Sequence, residues 1–300
     1  MNFKINPKYK GIIYIIASAF CFAFMNAFVR LSGDLPSVQK SFFRNFVAFF
    51  FALVILVRSK EKIHIDKKSL PYLLGRSVFG TVGILCNFYA IDHLVLSDAS
   101  MLNKMSPFFV IIFSFLLLKE KLNAVQIIAV AVAFIGSLFI IKPTFENMDL
   151  VASLVGFMGG VGAGAAYAMV RKLGTMGVKG PFIVFFFSGF SCLVTLPFVI
   201  FDFHPMTIWQ ILSLLGAGFA AAGGQFSITA AYYYAPAREI SVYDYSQIIF
   251  AALLGFILFG QIPDVFSILG YVIIISVAIV MFVYNNRKHS EEKQKLTSNN

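Results

Sequence analysis

The chain has 300 residues, of which 59% are hydrophobic and 13% charged, and it carries a formal net charge of +10. Apolar runs of about 20 residues, the length an α-helix needs to cross the hydrocarbon core, recur from end to end. That pattern excludes a soluble domain, and the absence of alternating ten-residue strands argues against a membrane barrel.

Residues 1–9 form a short polar N-terminus with Lys4 and Lys8. The first run, 10–31, is long and has no small-residue cleavage site after it, so it reads as an uncleaved signal-anchor. It carries Asn26 and a stripe of Ala19, Ala23 and Ala27. The second run, 38–57, is rich in phenylalanine and holds Arg44 and Asn45. The third, 69–91, holds Gly75, Arg76, Gly80 and Gly83. The fourth, 95–118, is the most informative. Ser97, Ser100, Lys104 and Pro107 fall on one helical stripe, with Asn103 and Ser106 beside it. The fifth run is 123–141. Arg58 to Lys68 is the longest polar stretch between runs, too short for a core of its own.

The second half runs 150–171, 180–201, 207–234, 239–260 and 264–284. Its first helix has Gly156, Gly160, Gly164 and Ala168 four residues apart, with Tyr167 alongside. Small residues at that spacing let membrane helices approach closely, which predicts tight packing of spans one and six. Gly160 to Gly164 has no preceding strand, so a nucleotide-binding loop is rejected. Gln225, Thr229 and Tyr232 lie in span eight, and Ser241, Asp244, Tyr245 and Gln247 in span nine. Residues 285–300 are polar and are expected to be a disordered tail.

The two halves superpose without a gap at an offset of 141. Val29-Arg30 falls on Val170-Arg171, Leu73-Leu74-Gly75 on Leu214-Leu215-Gly216, and Gly83 on Gly224. Ser100, Asn103, Lys104 and Ser106 fall on Ser241, Asp244, Tyr245 and Gln247. Asn26 falls on Tyr167. Each copy has five spans, and an odd number forces the second copy to enter the membrane inverted. The predicted fold is therefore all-α and integral to the membrane: ten transmembrane helices as two inverted five-helix repeats, 10–141 and 150–284. Inverted repeats about an axis in the membrane plane are a common transporter build, with the binding site between the halves.

Basic residues concentrate in alternate connections, among them Lys60, Lys62, Lys67, Lys68, Lys119, Lys121, Lys172 and Lys179. The positive-inside rule then places both termini in the cytoplasm. A nucleic-acid binder would gather its cations on one face, so nucleic acid is rejected as a partner. Cys21, Cys86 and Cys192 all fall inside spans, and the four histidines are scattered, so no metal or cofactor is expected.

A charged side chain at a helix centre costs about 2.5–3.5 kcal/mol and normally faces a partner or a wet cavity. Lys104 lies roughly 14 Å into its span at about 1.5 Å per residue, near the midplane. Asp244 is the one carboxylate well inside a span, and a pair with Lys104 would lower the cost of both. The candidate substrate-binding residues are Lys104, Ser100, Asn103, Asp244, Tyr245, Gln247, Arg76, Arg44, Asn26, Tyr167 and Gln225. Arg44 and Arg76 also have a purely structural reading as snorkelling anchors. Phe185-Phe186-Phe187 is assigned to lipid-facing bulk.

Gly75-Arg76, Gly80, Gly83, Tyr89-Ala90, Asp98-Ala99, Pro107 and Leu118-Lys119-Glu120-Lys121-Leu122 together resemble the drug/metabolite transporter superfamily. The likeness is to ten-helix members built from two EamA-type units, similar to the animal solute carriers of family 35 group G. Gly260-Gln261 departs from the usual Gly-Glu turn and leaves Glu120 without a symmetric partner. The resemblance implies a central cavity ringed by spans one, three, four, six, eight and nine, with five and ten peripheral. The expected function is secondary active transport of a small polar metabolite across the cell membrane, with substrate and lipids as partners and a homodimer left open. The competing classes are an intramembrane lipid-modifying enzyme, for which no nucleophile or His/Asp cluster is visible, and a non-transporting scaffold.

Overall fold

The structure, a computed structural model, describes residues 7–59, 66–93, 102–120, 123–141, 149–260 and 262–298. The first repeat contains α1 (Pro7–Leu31), α2 (Ser37–Arg58), α3 (Leu70–His93), α4 (Ser106–Leu118) and α5 (Ala124–Ile141). The second contains α6 (Leu150–Thr175), α7 (Gly180–Phe201), α8 (Ile208–Tyr234), the short α9 (Ala237–Ile240), a 3₁₀ turn over Ser241–Tyr245, α10 (Ser246–Phe259) and α11 (Val265–Ser298). Among the described residues nine helical segments are long and apolar enough to span a bilayer, and the shorter α4 accompanies them. The chain is a multi-pass membrane protein.

Two helix starts in the second repeat are capped by side chains. Asp149 accepts hydrogen bonds from the Val151 and Ala152 amides at 2.8 and 3.3 Å. Thr207 and Gln210 form a reciprocal capping box at the start of α8. Each cap is worth about 1 kcal/mol. The last helix continues to Ser298, past the point where disorder is expected. Glu291, Glu292, Lys293, Gln294, Lys295 and Leu296 are good helix formers without Gly or Pro, and extending an existing helix costs no nucleation.

Packing obeys a pseudo-two-fold rule. Helix α1 packs on α8, and its equivalent α6 packs on α3. Helix α6 also packs on α4, as α1 packs on α10. Helices α2 and α7 pair with each other, as do α5 and α11. Each contact thus maps onto its own partner when the halves are exchanged. Backbone conformation repeats as well, since Lys119 and Gly260, 141 apart, both end their helices with positive φ (55° and 63°).

This arrangement corrects the expected packing of spans one and six. The glycine stripe of α6 faces spans three and four instead: a Cβ on Gly156 would meet the Ala90 Cβ at 2.9 Å, and one on Gly160 would meet the Leu102 carbonyl at 2.6 Å. Exchanging the halves predicts the same for the alanines of α1, and Ala23 and Ala27 do cluster with Leu254 and Phe250 of α10. Periodicity reveals that a face is small; it carries no information on which helix fills it. On the outer surface Phe50, Leu193, Ile200 and Leu253 are exposed, as lipid contact requires.

Candidate functional site

The fourth and ninth spans are both broken at the same depth. Leu102 and Asn103 are helical, Lys104 and Met105 form a turn, and α4 starts at Ser106. Pro107 has no amide to offer the Asn103 carbonyl, and its ring crowds that carbonyl, so the ladder cannot run through. In the ninth span serine hydroxyls compete for backbone acceptors: Ser241 donates to the Ala237 carbonyl and Ser246 to the Tyr243 carbonyl, each at 2.7 Å.

The break presents Lys104 to the other repeat. Its Nζ donates to Asp244 Oδ2 at 3.0 Å and to Gln247 Oε1 at 2.8 Å, with the Asp244 carbonyl at 3.4 Å. Both charged side chains are largely buried. Tyr245 donates its hydroxyl to the Lys104 carbonyl at 3.0 Å, satisfying an acceptor at the interruption. Lys104 and Tyr245 are themselves repeat equivalents, so the halves touch through matching positions.

Beside this junction lies a partly open cavity. Of the residues singled out from sequence, Lys104, Asn103, Asp244, Gln247, Arg76, Arg44, Asn26, Tyr167 and Gln225 line it. Tyr245 is fully buried behind the wall and positions Lys104 instead of lining the space. Ser100 lies outside the described residues. Spans two and seven each contribute a lining residue, Arg44 and Phe187, beyond the six expected spans. Among the described residues helices α5 and α11 contribute none.

Arg44 and Arg76 face the cavity. Arg44 Nε reaches the Met25 sulfur at 3.1 Å, and its guanidinium lies 5.9 Å from the Phe22 ring. The Arg76 guanidinium stacks on Phe187 at 3.9 Å and lies 5.9 Å from Tyr167. Gly80 leaves the room that guanidinium occupies, because a Cβ there would collide with it. Phe187 therefore supports a cavity cation, and its assignment to lipid-facing bulk is corrected. Asn87, Met25 and Phe22 are lining residues that the sequence reading missed. Asn87 had a signal: Arg76, Gly80, Gly83 and Asn87 recur at i, i+4, i+7 and i+11, one stripe of α3.

One face of the molecule carries a polar tie between helices. Tyr9 meets Phe282 at 5.8 Å, so the start of α1 and the lipid-spanning end of α11 share a face. On that face Arg171 Nε donates to Glu120 Oε1 at 3.0 Å, and Arg171 Nη1 donates to the Tyr233 carbonyl at 3.1 Å. Spans four, six and eight are tied together there. Tyr14 stacks on Tyr234 beside them at 5.9 Å. At the other face the equivalent of Arg171 is Arg30, which rests on the Phe259 ring at 4.6 Å.

Among the described residues no group of His, Cys, Asp and Glu could hold a metal ion. Comparison with known proteins places the chain. The profile of the EamA-like transporter family matches twice, over residues 9–142 and 150–283. The pseudopaline exporter CntI of Pseudomonas aeruginosa is 33% identical over 273 residues, covering 90% of this chain and 95% of that protein. The riboflavin transporter of Vibrio cholerae is 25% identical, covering 98% and 99%. Human solute carrier family 35 member G1 is 24% identical, covering 89% and 77%. A solved crystal structure with 12% identity superposes at a TM-score of 0.80 over 93% of this chain, which supports the fold. These relatives are transporters and not enzymes, and the chain belongs to the EamA-like transporter family.

Proposed function

We propose that the chain is a secondary active transporter that carries a small polar metabolite, amino-acid-like or otherwise anionic or zwitterionic, across the cytoplasmic membrane by alternating access. The observation that best supports this is the cavity between the repeats, into which both broken helices deliver polar groups. Discontinuous helices at the repeat interface are where carriers of this build hold their ligands. Lys104, Asn103 and Ser106 come from one half, and Asp244, Gln247, Gln225 and Tyr167 from the other. A ligand touching both sets would feel any rocking of one repeat against the other.

The face bearing the N-terminus is the cytoplasmic one by charge bias. The Arg171–Glu120 tie then closes the cytoplasmic mouth. Transport follows when that tie opens and the opposite face closes. The relatives carry chemically different cargoes by name, so the substrate class is argued from the side chains of this cavity.

The test is a two-stage screen. Purified protein is scanned for thermal stabilisation across amino acids, nucleotides and organic acids, since a ligand of the native state raises apparent stability by mass action. Each stabilising compound is then followed by counterflow in proteoliposomes. Stabilising ligands that never cross the bilayer would sink the transport reading.

A further inference from the structure

The cavity wall holds two cations that no described carboxylate neutralises. Arg44 is 8% exposed and Arg76 2% exposed, and both line the cavity wall. Among the described residues neither has a carboxylate partner. Arg44 has a thioether and an aromatic face. Arg76 has aromatic faces, and its Nε is buried with no hydrogen-bond partner at all. The other buried cations are treated differently: Lys104 is paired with Asp244, and Arg171 with Glu120.

The Lys104–Asp244 pair is self-neutral, so among the described residues Arg44 and Arg76 leave the cavity with two uncompensated positive charges. Arginine stays protonated in proteins, and each guanidinium offers five donors. Burying such a group without a partner is costly. An arginine kept only as an anchor would snorkel to the headgroups; these two turn inward. Aromatic faces hold a guanidinium in place by cation–π attraction while leaving its N–H edge free. Such an edge matches the paired oxygens of a carboxylate or phosphate.

We infer that Arg44 and Arg76 form a subsite for a dianion, so that the ligand carries at least two negative charges on its acidic part. This rests on the transport reading and sharpens it from "anionic or zwitterionic" to a dicarboxylate or a phosphomonoester. The shared chemistry is two negative charges presented as oxygen pairs to two guanidinium edges. The neutral junction of Lys104, Asp244 and Gln247 is then left to read the rest of the molecule.

The test uses the full chain purified in detergent, with malonate, succinate, glutarate and inorganic phosphate as probes at matched ionic strength. The monomethyl esters of the three acids are the controls. At least one dianion should raise the melting temperature where its monoester does not, and the chain length that protects separates the dicarboxylate source from phosphate. Arg44→Gln and Arg76→Gln should each weaken that protection roughly ten-fold or more, the loss expected for a charge-assisted hydrogen bond. Without ligand these variants should melt no lower than the parent, because an uncompensated buried charge has gone. A structural arginine would show the opposite. The inference is overturned if every dianion protects no better than its monoester, or if protection survives both substitutions. Protection by a dianion that fails in counterflow would count against transport and leave the subsite standing.

Discussion

Tyr245 and Lys104, equivalent positions in the two repeats, bond to each other: the tyrosine hydroxyl donates to the lysine carbonyl at 3.0 Å. A contact between matching positions can form only close to the axis that exchanges the halves. It locates that axis at the breaks in the fourth and ninth spans. The ion pair between Lys104 and Asp244 is the neighbouring contact across the same junction. Whatever moves one repeat against the other must pass through these bonds.

Lys104→Met is therefore expected to cost stability as well as transport. Removing one partner of a buried pair leaves the other charge unmatched, at about 3–5 kcal/mol in a closed interior; the adjoining cavity favours the lower end. Asp244→Asn placed in the same chain removes the orphan. The double variant should regain most of the lost melting temperature while transport stays below a tenth of the parent. Denaturation in detergent and counterflow on the same preparations check this. A double variant no more stable than Lys104→Met would remove the ion pair from the account.

The Glu120–Arg171 tie gives a second expectation. Glu120→Gln loses one charge-assisted hydrogen bond of a pair that is only about 15% exposed. A loss of about 1.5 kcal/mol is roughly a ten-fold shift toward the state open on the N-terminal face. A cysteine at Ala166, on the cavity wall, should then react about ten times faster with a thiol reagent applied from that face. Glu120→Asp should leave the rate near the parent's. Equal rates in all three proteins would mean that the tie does not close the mouth.

Topology can be checked directly. In a version lacking Cys21, Cys86 and Cys192, single cysteines at Asp34 and Asp202 should react with an impermeant reagent on intact cells. Cysteines at Ser59 and Lys179 should react only after permeabilisation. Labelling of all four from outside, or of Ser59 alone, would break the assignment of the N-terminal face to the cytoplasm.

Much of this architecture was legible in the sequence because it rests on periodicity and parity. The offset of 141 and the odd number of spans specify inversion without any coordinate, and the cost of burying charge draws the eye to Lys104 and Asp244. Partner identity was not legible. The glycines of α6 announce a thin face, yet spans three and four, not one, fill it. Phe187 looks the same in sequence as Phe185 and Phe186, and its full burial and 3.9 Å approach to Arg76 distinguish it. Tyr245 lies on the polar stripe of its span, but a hydroxyl that reaches a backbone carbonyl is spent on holding a neighbour. The direction of Arg44 and Arg76 depended on which helices flank them, and a one-dimensional pattern does not carry that.

The remaining expectation concerns coupling. Among the described residues Asp244 is the single carboxylate on the cavity wall, and its repeat equivalent, Asn103, is neutral. It is also the acidic partner of Lys104, with Gln247 as the lysine's neutral acceptor. Protonation of Asp244 would dissolve the ion pair without removing the Gln247 bond, so Lys104 would stay in place as a free cation. An anionic ligand would then bind more tightly, and binding would in turn favour the proton, as reciprocal linkage requires. Asp244→Asn imitates the protonated state permanently. It should keep exchange of substrate across proteoliposomes within a few-fold of the parent. Accumulation driven by an imposed pH gradient should fall to the level of a gradient-free control. Retained gradient-driven accumulation in that variant would make Asp244 a structural partner of Lys104, with coupling carried by another group.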